Sequence, residues 1–145
     1  MVRIHPYPIF FYKLKYKLIY ITKYKDINEL RQKAIDYYKN NFQGKTIVHP
    51  ELGEIKFSGK GIRKTINSSA DDTKLKFLPK LAEIILLGEI GELEIPKKSR
   101  KDDITGFIFI KTPIVFNGNH KTVIVNIAQE KNSYSFYNIN YKTNS

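Results

Sequence analysis

The chain has 145 residues, one domain's worth, with a net charge of +11, 41% hydrophobic residues and no cysteine. A chain of this size can bury a self-supporting core, and its apolar fraction is too high for a disordered polymer. The missing cysteines exclude a disulfide scaffold, a thiolate zinc site and a cysteine nucleophile, and His5, His49 and His120 are too scattered for a local zinc signature. Excess positive charge points to a polyanionic partner, nucleic acid before an anionic membrane surface. The bland alternative is incidental basicity from a Lys-, Asn-, Ile- and Tyr-rich composition, since arginine occurs only at positions 3, 31, 63 and 100.

Residues 1–25 hold six bases, Arg3, Lys13, Lys15, Lys17, Lys23 and Lys25, and no carboxylate. Lysines interrupt any secretory apolar run, and no stretch approaches the ~18 apolar residues of a membrane span. Tyr12, Leu14, Tyr16 and Leu18 alternate with lysines, which predicts an extra strand or an extended arm. The rest, 26–145, is expected to form one domain. Asp26 is a suitable N-cap for a helix carrying Ile27, Leu30, Ala34, Ile35 and Tyr38 at helical spacing, ended by Gly44. Two short strands follow, 45–48 and 54–57, turning at Pro50 and Gly53. The stretch 58–69 reads as a loop opening a short helix that Ser58 caps. After a break at Asp71-Asp72-Thr73 a second helix runs to Leu87, with Pro79 in its first turn and Gly88 as its C-cap. Residues 88–103 read as a loop with Lys97, Lys98, Arg100 and Lys101 at its tip.

The last third reads as a three-stranded antiparallel meander. Asn117-Gly118 is a strong two-residue hairpin signal, because both turn positions want positive φ. Counting outward pairs Ile108 with Ile127, Ile110 with Val125 and Thr112 with Val123 on a core face. A four-residue second turn places Phe136 beside Ile127 and Tyr137 beside Asn126. The opposite face then presents Phe107, Phe109, Lys111, His120, Asn126 and Tyr137, rings beside cations as single-stranded RNA requires. Alternatively, Phe107 and Phe109 pack beneath the arm or the first helix. The fold class is α+β, with helices on one face of an antiparallel sheet.

Other motifs fail. Five residues separate Gly53 from Gly59, and Gly61 stands where a phosphate-binding loop needs Ser or Thr. Asn67-Ser68-Ser69 matches a glycosylation acceptor by chance, and the pairs Asp71-Asp72 and Asp102-Asp103 read as a cap and a solvated loop.

The runs Gly53-Glu-Ile-Lys-Phe-Ser-Gly-Lys-Gly-Ile-Arg-Lys-Thr65, Lys76-Phe-Leu-Pro-Lys-Leu-Ala-Glu-Ile-Ile85 and Tyr134-Ser-Phe-Tyr137 carry a resemblance. Residues 26–141 resemble the barnase–EndoU–colicin–RelE-like nuclease domains of large polyvalent proteins from phages and mobile elements. The resemblance implies a metal-independent endoribonuclease without cofactors, in which a ribose 2′-OH attacks its own phosphodiester. It implies catalytic roles for Lys60, Lys64, Thr65 and Tyr137. Strand register adds Lys111 and His120. Ser58, Arg63, Ser68, Phe109 and Asn126 are the expected RNA contacts. Thr65, Ile66, Asn67 and Ser68 stand where related sequences often carry a histidine, which allows a non-catalytic RNA- or DNA-binding module instead. The implied setting is a bacterial or phage-encoded cytoplasmic effector. Its implied partners are RNA, tRNA included, and an acidic immunity protein or antitoxin.

Overall fold

The computed structural model describes residues 21–67, 72–97 and 102–143. The expected arm therefore lies outside the described residues up to position 20, as do Ser68 and the basic loop tip beyond Lys97.

Helix α1 spans Ile27–Asn41, and Asp26 Oδ1 accepts from the Glu29 N–H at 2.9 Å, satisfying one free donor of the first turn. Leu30, Ala34 and Tyr38 fall on one stripe and are buried. The chain leaves the helix through Gly44 at φ +82°, a conformation glycine adopts without steric cost. Strands β1 (Thr46–His49) and β2 (Gly53–Lys56) pair as a hairpin. A nine-residue helix α2 (Gly59–Asn67), a 3₁₀ helix (Asp72–Lys80) and a short helix α3 (Leu81–Leu87) follow. The single helix expected to run to Leu87 with Pro79 in its first turn is thus split: Pro79 lies inside the 3₁₀ segment, two residues before the α-helix begins at Leu81.

Four more strands complete one sheet: β3 (Glu89–Glu94), β4 (Ile104–Phe116), β5 (Asn119–Glu130) and β6 (Ser133–Thr143). Their order is β1-β2-β6-β5-β4-β3. The β4–β5 register is the expected one, with Ile108 opposite Ile127, Ile110 opposite Val125 and Thr112 opposite Val123. Asn117 and Gly118 turn at φ 51° and 77°, as a tight hairpin with the sheet's twist demands. Alternate residues of β4 from Ile108 to Phe116 are buried, with Phe116 meeting Phe77 of the 3₁₀ helix edge-on at 5.1 Å and α3 packed on the same strand. Thr112 is the polar member of that row, and its hydroxyl donates to the Ile84 carbonyl at 2.6 Å. Arg31 of α1 clamps the 3₁₀ helix by donating from Nε and Nη2 to Asp72 at 3.2 and 3.0 Å.

Three further expectations need correction. The sheet is mixed, because β2 joins β6 in parallel through Ile55 with Tyr134 and Lys56 with Ser135. Residues 89–94 form an edge strand where a loop was expected. Glu89, Glu92 and Glu94 hide its alternation, and charge on an edge discourages pairing with other chains. The second hairpin carries a bulge. Phe136 faces Ile127 as expected, but Asn138 faces Asn126 and Tyr137 is the extra residue. The cause is packing: Phe136 and Ile139 are both fully buried yet three residues apart. An alternating strand places such residues on opposite faces unless a bulge restores the phase.

Candidate functional site at the α2–β6 edge

Strand β2 pairs with only the first part of β6, so beyond Ser135 that flank of β6 has no strand neighbour among the described residues. Helix α2 covers it. The Ile139 N–H donates to Thr65 Oγ1 at 3.2 Å, satisfying a backbone donor that the sheet leaves free. Gly61 meets β6 where a Cβ would lie 2.4 Å from Phe136 Cδ2. An aromatic cluster supports the start of α2: Phe57 lies 6.0 Å and Tyr38 5.9 Å from Phe136, centroid to centroid. Tyr38 Oη donates to the Ser58 carbonyl at 2.6 Å, and burial pushes that phenol's pKa up.

Because α2 sits at the edge, its other side chains wrap around to the open face of the sheet. Residues 60 and 64 are one turn apart and share that side. Lys64 Nζ lies 5.6 Å from the centroid of the Tyr137 ring, within cation–π range. The Tyr137 ring meets Phe107 edge-on at 5.1 Å. Phe109 follows on β4, opposite half-buried Asn126, whose Oδ1 is buried without a hydrogen bond. The result is an ammonium, a phenol, two further rings and an amide on one patch.

The expected site residues separate into three groups. Lys64, Tyr137, Phe109 and Asn126 come together. Lys60 lies one turn before Lys64 but reaches Asp102, 3.7 Å from Oδ2, and Asp102 Oδ1 also accepts from the Ile104 N–H. A half-exposed pair at this distance contributes about 1 kcal/mol or less, so exchanging Asp102 for a phosphate oxygen costs little. Arg63 lies on the same helix but faces α1. Ser58 holds the helix start through its backbone carbonyl, which accepts from Tyr38 and from the Gly61 N–H.

The rest lie outside the cluster. Lys111 shares the face two residues further along β4 than Phe109, opposite Glu89 of the edge strand. His120 pairs with Val115 beside the first hairpin turn, six residues along β5 from Asn126, a separation of about 20 Å at strand rise. Thr65 is fully buried, and its hydroxyl is engaged with β6. Thr65→Val should therefore destabilise the fold by about 1–3 kcal/mol through the unpaired Ile139 N–H, with Thr65→Ser restoring most of it. Denaturant unfolding of the two variants checks this. Equal stability of Thr65→Val and the parent would contradict the role.

Sequence reasoning missed two residues of the patch. Asn138 takes the position opposite Asn126 because of the bulge, which the three-residue spacing of Phe136 and Ile139 could have revealed. Asp102 read as a solvated loop residue, and no local signal pairs it with Lys60. Among the described residues, no three potential metal-ligating side chains cluster, and no helix is long and apolar enough to cross a membrane.

The fold and site define an α+β domain with a curled mixed sheet and a basic, aromatic patch where a short helix closes one strand edge. The chain matches the family model for large polyvalent protein-associated domain 3 over residues 25–137, and it belongs to that family. This establishes the expected association with large polyvalent proteins. No curated protein matches the chain. No solved structure matches it.

Proposed function

We propose that the α2–β6 edge binds RNA and cleaves it without a metal, by attack of a ribose 2′-OH on the adjacent phosphorus. The observation that carries this reading is the Lys64 ammonium set over the Tyr137 ring, a cation and a phenol together on an open aromatic surface. The bond from phosphorus to the 5′ oxygen breaks as the 2′ oxygen bonds to phosphorus, leaving a 2′,3′-cyclic phosphate and a 5′-OH. Lys64 stabilises the extra negative charge of the phosphorane. Tyr137 gives a proton to the departing 5′ oxygen, and the 2′-OH proton leaves to solvent. Lys60 binds a flanking phosphate in exchange for Asp102. Phe107 and Phe109 offer rings on which unstacked bases lie.

Such an activity acts where RNA is, in the bacterial cytoplasm, and an acidic immunity or antitoxin partner would cover the same basic edge. Incubating the purified protein with total RNA in the presence of a chelator should yield fragments with 2′,3′-cyclic ends. RNA left intact would rule out the cleavage step.

One observation favours a second reading, an RNA-binding module that does not cleave. His120 stands about 20 Å along the strand from the patch and the Thr65 hydroxyl is engaged in the fold, so neither stands beside Tyr137 to accept the 2′-OH proton. This reading gives salt-dependent binding with no products.

A further inference from the structure

Helix α2 has a third side. Gly61 and Thr65 face β6, and Lys60 and Lys64 face Asp102 and Tyr137. The remaining stripe, residues 59, 62, 63 and 66, faces α1 across a half-open cleft of about 350 Å³. Ile35, Ile62 and Ile66 supply its apolar lining, Lys39 and Arg63 its charge, and Gln43 an amide. Among the described residues, no carboxylate lines it. Gly59 leaves room for the polar groups: a methyl there would lie 3.1 Å from Arg63 Nη1 and 3.5 Å from Gln43 Nε2.

The geometry points to this cleft as a subsite for one nucleotide of the RNA strand, next to the nucleotide held at Lys64 and Tyr137. The inference rests on the RNA-binding reading of the α2–β6 edge and extends it. Four observations favour a nucleotide. The volume falls in the range of small-molecule sites, roughly 300–1,000 Å³. A planar guanidinium beside an apolar wall can stack on a base or fork onto a phosphate. The Gln43 amide offers both a donor and an acceptor to a base edge. Lys39, Arg63, Lys60 and Lys64 form a run of cations around one short helix, as a groove that tracks a single strand requires.

The test uses the whole chain and a short 2′-deoxy oligonucleotide, which binds but cannot be cleaved by 2′-OH attack. Methyl NMR should show the signals of Ile35, Ile62 and Ile66 shifting with the oligonucleotide. Lys39 and Arg63 are exposed, so Lys39→Ala with Arg63→Ala should leave the fold intact. Removing two phosphate contacts should flatten the dependence of log affinity on log salt by about 1.4, at roughly 0.7 per contact for single strands. Silent isoleucine methyls and an unchanged salt slope, while Tyr137 and Phe107 signals move, overturn the subsite and leave the cleavage reading standing. Shifted methyls with no cleavage of the matching RNA uphold the subsite and overturn catalysis. No response anywhere overturns both. Methyls that respond to an acidic peptide such as polyglutamate, and not to the oligonucleotide, overturn the subsite in favour of a protein partner.

Discussion

Lys64→Ala is expected to slow RNA cleavage by about 10²–10³-fold while weakening RNA binding only a few-fold. The asymmetry follows from where the charge acts. Before the reaction, Lys64 is one of several cations near the strand, and losing one contact of several changes affinity little. In the phosphorane the extra negative charge develops beside Lys64, and a positioned charge at such a point carries about 2.7–4 kcal/mol of barrier lowering. Removing the ammonium also takes it from above the Tyr137 ring, 5.6 Å from its centroid, so the phenol loses a neighbour that helps hold its ring. Lys64→Arg keeps the charge and should retain part of the rate. Single-turnover cleavage at saturating protein separates the two effects, since it reads the chemical step apart from binding. If rate and affinity fall together by the same small factor, Lys64 is a phosphate contact and the patch is a binding surface.

A large structural effect is expected at Gly61. A Cβ at this position would sit 2.4 Å from Phe136 Cδ2 and 2.6 Å from the Phe136 carbonyl oxygen. Phe136 cannot yield, because its ring packs among Tyr38 and Phe57 at the base of the core and is 1% exposed. Gly61→Ala therefore pushes α2 away from β6, stretching the Thr65–Ile139 hydrogen bond and carrying Lys64 off Tyr137. Overpacking of this kind costs about 1–3 kcal/mol or more, a fall in Tm of roughly 4–12 °C for a chain of this size. Calorimetric unfolding measures it, and cleavage should fall even at temperatures where the variant remains folded. An unchanged Tm would contradict the close seating of α2 on β6.

Much of the sheet was legible because local chemistry fixed it. Asn117-Gly118 admits few alternatives to a two-residue turn, and the buried alternation from Ile108 to Phe116 locks the register that follows. Asp26 and the α1 stripe were legible for the same reason, since capping and helical period are written within a few residues. The parallel joining of β2 to β6 was not, because two residue pairs bring together segments about eighty positions apart with no local signature. Edge strand β3 escaped because Glu89, Glu92 and Glu94 meet solvent and erase the apolar alternation.

The candidate site divides along the same line. Lys64 and Tyr137 were each identifiable, but their meeting depends on the bulge and on α2 closing a flank that β2 leaves open. His120 shows the limit of face counting. Register put it on the expected face, opposite Val115, yet sharing a face along a twelve-residue strand leaves it far from Tyr137. Thr65 carries a hydroxyl at a matching position, but the strand edge beneath it uses that hydroxyl for Ile139.

The central claim is that the α2–β6 edge cleaves RNA through its own 2′-OH. An oligoribonucleotide bearing one 2′-deoxy residue at its cleavage position tests this most directly. The substituted site should resist cleavage while the all-ribose strand yields 2′,3′-cyclic phosphate and 5′-OH ends. Cleavage that persists at the 2′-deoxy residue, or that leaves a 5′-phosphate, would contradict it.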